Sequence, residues 1–429
     1  MTSILLWVKP WQRDGHKIIQ WDISIYYTYL PATFIYNDVA LQEKWPVDLA
    51  EYDLWISRKF EGKELLKMSS GMAYMYAPWF FVAHAITKIN MPEMATGYSL
   101  PYQIALAFGA VFWATLGLYF LFLFLKRFVS ATAAFIVLGL LLFGTNLFFY
   151  VFWDGAYSHA ALFALVAIFL EMGERFSQKQ NMKKALVLGC LAGLLVLIRP
   201  VLLIHVFLLG AFYLYRLKGK IKLLHLGIAA LAAFVIWLPQ FFYWHYISGH
   251  WLYYSYGDEG FFWNNPKIIE GLFSWRKGWF VYTPIMLIIF PGFWMLYKKQ
   301  RQWFWLITPL FVIHLYVIFS WWCWWYGGSY SQRAMIEIYP LLALPIALLI
   351  QQILKLKWLF LVVSFSALTV LTAYNMFTTR QYQRSLIHYD AMTKEAYQAI
   401  FMQQWWPANY DDLIDPPDYE AAKKGARDL

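Results

Sequence analysis

Apolar residues fall in long runs separated by short polar connections. A membrane-spanning helix needs about 20 mostly apolar residues. Ten stretches approach that length: 101–125, 131–150, 156–173, 184–198, 200–215, 223–247, 279–297, 303–320, 337–354 and 357–376. The runs on either side of Arg199-Pro200 are short, and the proline suits a break or a new helix start. Residues 72–88 are also apolar, but a span there would upset the alternation of sides that the later runs require. Their aromatic content and Pro78 predict a helix lying in, or dipping into, the outer interface. Ahead of Asp22 only residues 4–8 are apolar before Lys9, too few to cross.

The polar connections carry a strong bias. Segments 126–130, 174–184, 216–222, 298–302 and 355–357 hold 15 Lys and Arg, against 5 in the opposite set, 150–159, Arg199, 248–278 and 321–336. That alternation is the positive-inside signature. It predicts 126–130 in the cytoplasm, with 22–100, 150–159, 248–278, 321–336 and the tail after 376 outside. Three regions follow: an N-terminal outer region 1–100 with interfacial helices, a bundle 101–376, and a polar tail 377–429. The tail is too short for a core of its own and is expected to pack on the outer loops.

Composition agrees. Of 429 residues 61% are hydrophobic and 14% charged, against roughly 25% charged in an average soluble domain. This excludes a disordered chain and an ordinary soluble enzyme. The net charge of +10 sits mostly in the topology-setting loops, so nucleic-acid binding is not expected. Two cysteines, Cys190 and Cys323, build neither a disulfide framework nor a zinc site. No secretory signal peptide is evident. Walker A, G-x-G-x-x-G, H-E-x-x-H and G-x-S-x-G are absent. A donor would therefore arrive without a nucleotide-binding fold, as a lipid-borne one can.

Five places carry candidate chemistry. Asp22 opens the run Trp21-Asp22-Ile23-Ser24-Ile25-Tyr26-Tyr27-Thr28-Tyr29-Leu30-Pro31-Ala32. A carboxylate between low dielectric and water can serve as a base for an acceptor hydroxyl, or simply as a helix cap. Asp154 and His159 can hold a metal or orient a phosphate; equally, Asp154 can cap the helix starting near 156. Arg199 can bind a phosphate through its planar fork or snorkel to the surface. In Trp321-Trp322-Cys323-Trp324-Trp325-Tyr326-Gly327-Gly328-Ser329-Tyr330-Ser331-Gln332-Arg333 the tryptophans form an aromatic belt or a wall for a sugar ring. Arg333 is the cation of that loop and a phosphate partner. The 248–278 loop adds Arg276 and Lys277 as headgroup ligands. Tyr26, Tyr27, Trp324, Trp325 and Tyr326 are candidates for sugar or lipid contact. His84 and His205 fit packed histidines better than ligands.

Taken in order, the Asp22 loop with Tyr-x-Tyr-Leu-Pro-Ala, Tyr76-Ala77-Pro78, Tyr157-Ser158-His159, Ile198-Arg199-Pro200 and Trp324 to Arg333 resemble the GT-C superfamily of membrane glycosyltransferases. That class includes the protein O-mannosyltransferases and the lipid A aminoarabinose transferases. The resemblance covers most of residues 20–376. It implies an all-α polytopic bundle of around eleven spans, with interfacial helices in a large first outer loop. About ten spans are legible here. The one that precedes the aspartate is missing, so either the start lies upstream or the copy is inactive. The implied reaction moves a sugar from a polyprenyl-phosphate carrier to a glycan, lipid or protein acceptor, with inversion, on the extracytoplasmic face of the cell (inner) membrane. Asp22 would be the base, and Arg333 and Arg199 would hold the carrier phosphate. Some members use a divalent metal (Mg or Mn), for which Asp154 and His159 would be the place. The competing expectations are a transporter or flippase of lipid-linked sugars and a non-catalytic subunit of envelope polysaccharide assembly. Polar groups gathered at outer helix ends, without internal repeats, favour surface chemistry over transport.

Overall fold

A computed structural model describes residues 1–12 and 17–427. The chain is mostly helical, and most of the apolar runs lie in helices. In order they are α1 (Asp22–Phe34), α2 (Gly71–Asn90), α3 (Leu100–Leu125), α4 (Ala131–Gly144), α5 (Ser158–Gln178), α6 (Met182–Ile198), α7 (Leu203–Arg216), α8 (Leu223–Ser248), α9 (Ile289–Lys299), α10 (Arg301–Ser320), α11 (Tyr339–Ile353) and α12 (Trp358–Gln383). Among the described residues five helical segments are long and apolar enough to cross a membrane: Leu100–Leu125, Leu223–Ser248, Arg301–Ser320, Arg333–Ile353 and Trp358–Gln383.

Three expectations need correction. The all-α expectation missed a hairpin, β1 (Ile56–Phe60) and β2 (Lys63–Leu66), closed by Glu61-Gly62 at φ 47° and 84°. Two left-handed residues in the turn match the right-handed twist of paired strands. The 131–150 run stops at Gly144, where Thr145 turns extended and the buried Asn146 binds Gln332 O at 3.2 Å and Tyr339 Oη at 2.6 Å. The 279–297 run breaks into a short helix Trp279–Tyr282, a 3-10 turn Pro284–Ile288 and α9. Pro284 forces Thr283 out of helical geometry.

The chain divides into two compact units. The first comprises Met1–Phe120 and Tyr150–Gly257, the second Leu121–Phe149 and Asp258–Leu429.

In the first unit, α6 and α8 approach closely because Gly189 and Gly193 lie on Ala229 and Ala233. A Cβ on Gly193 would stand 2.8 Å from the Ala233 carbonyl oxygen. Small residues four apart let membrane helices pack backbone to backbone. α5 is buried along almost its whole length. Its C-terminal end carries buried Glu171 and Glu174, which pair with Arg175 (2.7 Å) and Arg216. Gln180 reaches the Lys220 carbonyl at 2.9 Å, and Phe176, Ala185 and Leu217 cluster alongside. The basic connections 174–184 and 216–222 therefore meet at one end of this unit.

In the second unit α11 is the central helix and α12 a peripheral one. In their most apolar windows 89% and 11% of residues are buried. The tail folds back on the loops at 262–277 and 319–330, as detailed below.

Candidate functional site

The first unit holds Asp22, Tyr26, Tyr27, Asp154, His159 and Arg199. Trp21, at φ 54°, breaks the chain ahead of α1, so that Asp22 becomes its first residue. An acid there is favoured by the unpaired N–H groups and the helix dipole. Asp22 is half-buried, whereas Ile23 through Ala32 are buried. The expected interfacial helix is thus enclosed by protein from its second residue. Tyr27 sits edge-on among Phe80 and Tyr98, with ring centroids 6.0 and 5.6 Å away.

Facing the start of α1 is Tyr76 of α2, which the sequence marked only as part of Tyr76-Ala77-Pro78. Its hydroxyl donates to the Ala156 carbonyl. Burial raises its pKa well above the usual phenol value, and the charges of Tyr26, Asp22 and Tyr157 add to the rise. Tyr76 is therefore a neutral hydroxyl, with Tyr26, Asp22 and Tyr157 within electrostatic reach. Tyr157 precedes α5, and His159 inside α5 is buried, with its ring 5.0 Å from Tyr150 and 6.4 Å from Tyr157. Asp154 is half-buried in the preceding turn, where its carbonyl accepts from Tyr157 N at 3.2 Å.

Arg199 follows the last residue of α6 in extended conformation, and Pro200 starts the next turn. Ile198 packs on Gly71 and Ser69 Oγ donates to the Leu197 carbonyl, so Arg199 emerges beside the start of α2. Asp22, Tyr76, Tyr157 and Arg199 thus share the end of this unit opposite the Glu174–Arg216 pair. Among the described residues no group of three or more His, Cys, Asp or Glu side chains is arranged to hold a metal ion.

The second unit holds Arg276, Lys277, Trp324, Trp325, Tyr326 and Arg333. Arg276 is buried and donates to the Asp390 carbonyl and, at 3.1 Å, to Asp415 Oδ2. Lys277, 1% exposed, donates to the carbonyls of Ser329 and Tyr389. Burial pushes its pKa down to about 7; Arg333 and Arg276 also lower it, against Asp390 and Cys323. Asp390 Oδ2 accepts from Tyr419 Oη at 2.7 Å. Arg276 and Lys277, two of the four cations expected to meet the donor headgroup, are thus turned toward the tail and the tryptophan loop.

The loop tryptophans also differ from expectation. Trp324 and Trp325 are 0% exposed, so neither ring has a face open to lipid or to a sugar. Trp324 Nε1 donates to the Arg427 carbonyl at 3.3 Å, and Trp325 packs edge-on to Tyr419. Tyr326, at φ 59°, donates to the Ile318 carbonyl at 2.9 Å. Arg427 is the residue sequence reasoning missed. It is 0% exposed, and its guanidinium donates to the carbonyls of Asn265 (2.7 Å), Phe319 (2.7 Å), Trp321 (2.8 Å) and Trp322 (3.2 Å). Only the composition of the tail, aspartates among aromatics, hinted at such docking. Arg333 is half-buried at the start of the 3-10 turn leading into α11, within electrostatic reach of Lys277 and Cys323.

No protein-family model matches the sequence, and no curated protein matches it either.

Proposed function

We propose that this chain is an integral-membrane glycosyltransferase that passes a sugar from a polyprenyl-phosphate carrier to an acceptor hydroxyl on the extracytoplasmic face. The observation that carries the reading is Asp22, a half-buried carboxylate at the head of an otherwise buried helix, within electrostatic reach of Tyr76. The acceptor oxygen attacks the anomeric carbon while the bond from that carbon to the carrier phosphate oxygen breaks. The acceptor proton passes to Asp22, and the electron pair leaves with the phosphate. A positioned general base contributes about 10²- to 10⁴-fold. Arg199, at the same end of the unit, is the cation suited to the phosphate charge that develops on departure. The basic connections meeting at the opposite end support an outward-facing site.

The test is incubation of the purified protein with a panel of polyprenyl-phosphate sugars, followed by detection of transferred or released sugar. Transfer by the native chain, lost in Asp22→Asn while thermal stability is kept, is the expected result. Full activity of Asp22→Asn would remove the base, and inertness of the native chain toward every donor would remove the reading.

A further inference from the structure

The tail after Gln383 folds back to the flank of α12 and leaves an apolar tip there. Among the described residues beyond Gln383, the large hydrophobic side chains left exposed are Tyr389, Phe401, Met402, Trp405 and Trp406; four of these five lie within 401–406. Trp405 is 82% and Met402 69% exposed. The tip is held in place. Gln381 Nε2 donates to the Ile400 carbonyl at 2.8 Å, the Phe401 ring lies 5.6 Å from Phe377, and Trp406 Nε1 donates to the Ser385 carbonyl at 3.1 Å. Met402 sits at φ 61° in a turn closed by Gln403 N to Ile400 O at 2.9 Å. Left-handed backbone is uncommon for a bulky non-glycine residue, and here it occurs at the exposed apolar tip.

Phe377 and Gln381 fix the height of that tip. At a rise of about 1.5 Å per residue they lie within roughly 10 Å of the end of α12. α12 is itself a candidate span whose apolar residues, Leu359, Phe360, Val363 and Val370 among them, are exposed in the chain. The tip therefore continues the apolar face of a span at the depth where aromatic rings and water-seeking groups coexist. Arg380 and Arg384, both exposed, flank it and are placed to snorkel toward lipid phosphates.

We propose that residues 401–406 are a membrane-interface anchor that inserts at the headgroup–acyl boundary on the side where α12 ends. The aromatic belt expected at 321–325 is thus supplied by the tail. The anchor also secures the segment whose Asp390, Asp415 and Arg427 close over the tryptophan loop. It rests on α12 crossing the membrane and is independent of sugar transfer.

The test uses the full chain in lipid nanodiscs containing a phospholipid with a photoactivatable diazirine near the glycerol end of its acyl chain. Irradiation, digestion and mass spectrometry then locate the labelled peptides. Labelling of 401–406 is expected within about twofold of the exposed residues of α12 and about tenfold above 411–427. The double variant Met402→Ser/Trp405→Ser alters only exposed side chains. It should lose most of that labelling with its melting temperature in detergent unchanged. Labelling of 401–406 no higher than that of 411–427 overturns the proposal, as it would if a protein or a second copy covered the tip. Undiminished labelling of the double variant overturns it as well.

Discussion

The acid at the head of α1 and the cations beneath the tail are treated in opposite ways. Asp22 keeps a half-buried position at a helix N-terminus, where the helix dipole favours a carboxylate. Arg276, Lys277 and Arg427 are buried, and protein groups replace their water: four carbonyls around Arg427, Asp415 and a carbonyl at Arg276, two carbonyls at Lys277. A buried charge is tolerated only when paired and hydrogen-bonded. The tail docks by supplying Asp415 and the Asp390 and Tyr389 carbonyls to the loop cations and Arg427 to the loop carbonyls. Arg276, Lys277 and Arg427 thus serve structure, whereas Asp22 keeps a partly exposed position at the head of α1.

The contrast can be broken from either side. Asp22→Asn should cost about 10²-fold or more in sugar transfer with no fall in melting temperature; a large loss of stability would make Asp22 structural like the tail cations. Arg427→Ala strands several buried carbonyls and should destabilise the second unit by about 3 kcal/mol. Thermal unfolding, with faster proteolysis within 384–427, is the measurement, and an unchanged protein would show that the tail docks without it.

Arg199→Ala should raise KM for the lipid donor about tenfold, equivalent to about 1.4 kcal/mol of a charge-assisted contact, with a smaller change in acceptor KM. Equal loss for both substrates would mean that Arg199 shapes the fold and does not hold phosphate.

A pH dependence tests Lys277. Its folded pKa is lowered to about 7 by burial, while an unfolded lysine titrates near about 10.4. Between these values the unfolded chain binds the extra proton, so this group's contribution is complete above the unfolded value and is lost as pH falls through 7. Melting temperature should climb between pH 7 and 10 on this account, and Lys277→Met should flatten the climb. An identical slope in the variant would show that the amine stays charged in the folded state.

Much of the helical order was legible because a span must be apolar along its length. The run predicted at 101–125 is the helix Leu100–Leu125, and 223–247 is Leu223–Ser248. The breaks were less so. Gly144-Thr145-Asn146 ended a predicted helix because Asn146 finds partners nearly two hundred residues away. The hairpin at 56–66 was carried by a two-residue turn too short to register beside the long apolar runs. Among the site residues, Asp22 was legible from its place before an aromatic helix. The neighbourhood of Tyr76 was not, since α2 and the 154–157 turn meet only in space.

By itself, the sequence determined that this is a helical chain with segments long and apolar enough to cross a membrane and with Lys and Arg concentrated in alternate connections, because hydropathy and charge act locally along the chain. Only the tertiary structure decided which aromatic residues are enclosed and which face outward. Trp324 and Trp325 read as surface residues until the tail covers them, and Trp405 and Met402 read as part of a polar tail until the fold carries them back to α12. Exposure belongs to the neighbours a residue acquires on folding, and a single sequence does not name them.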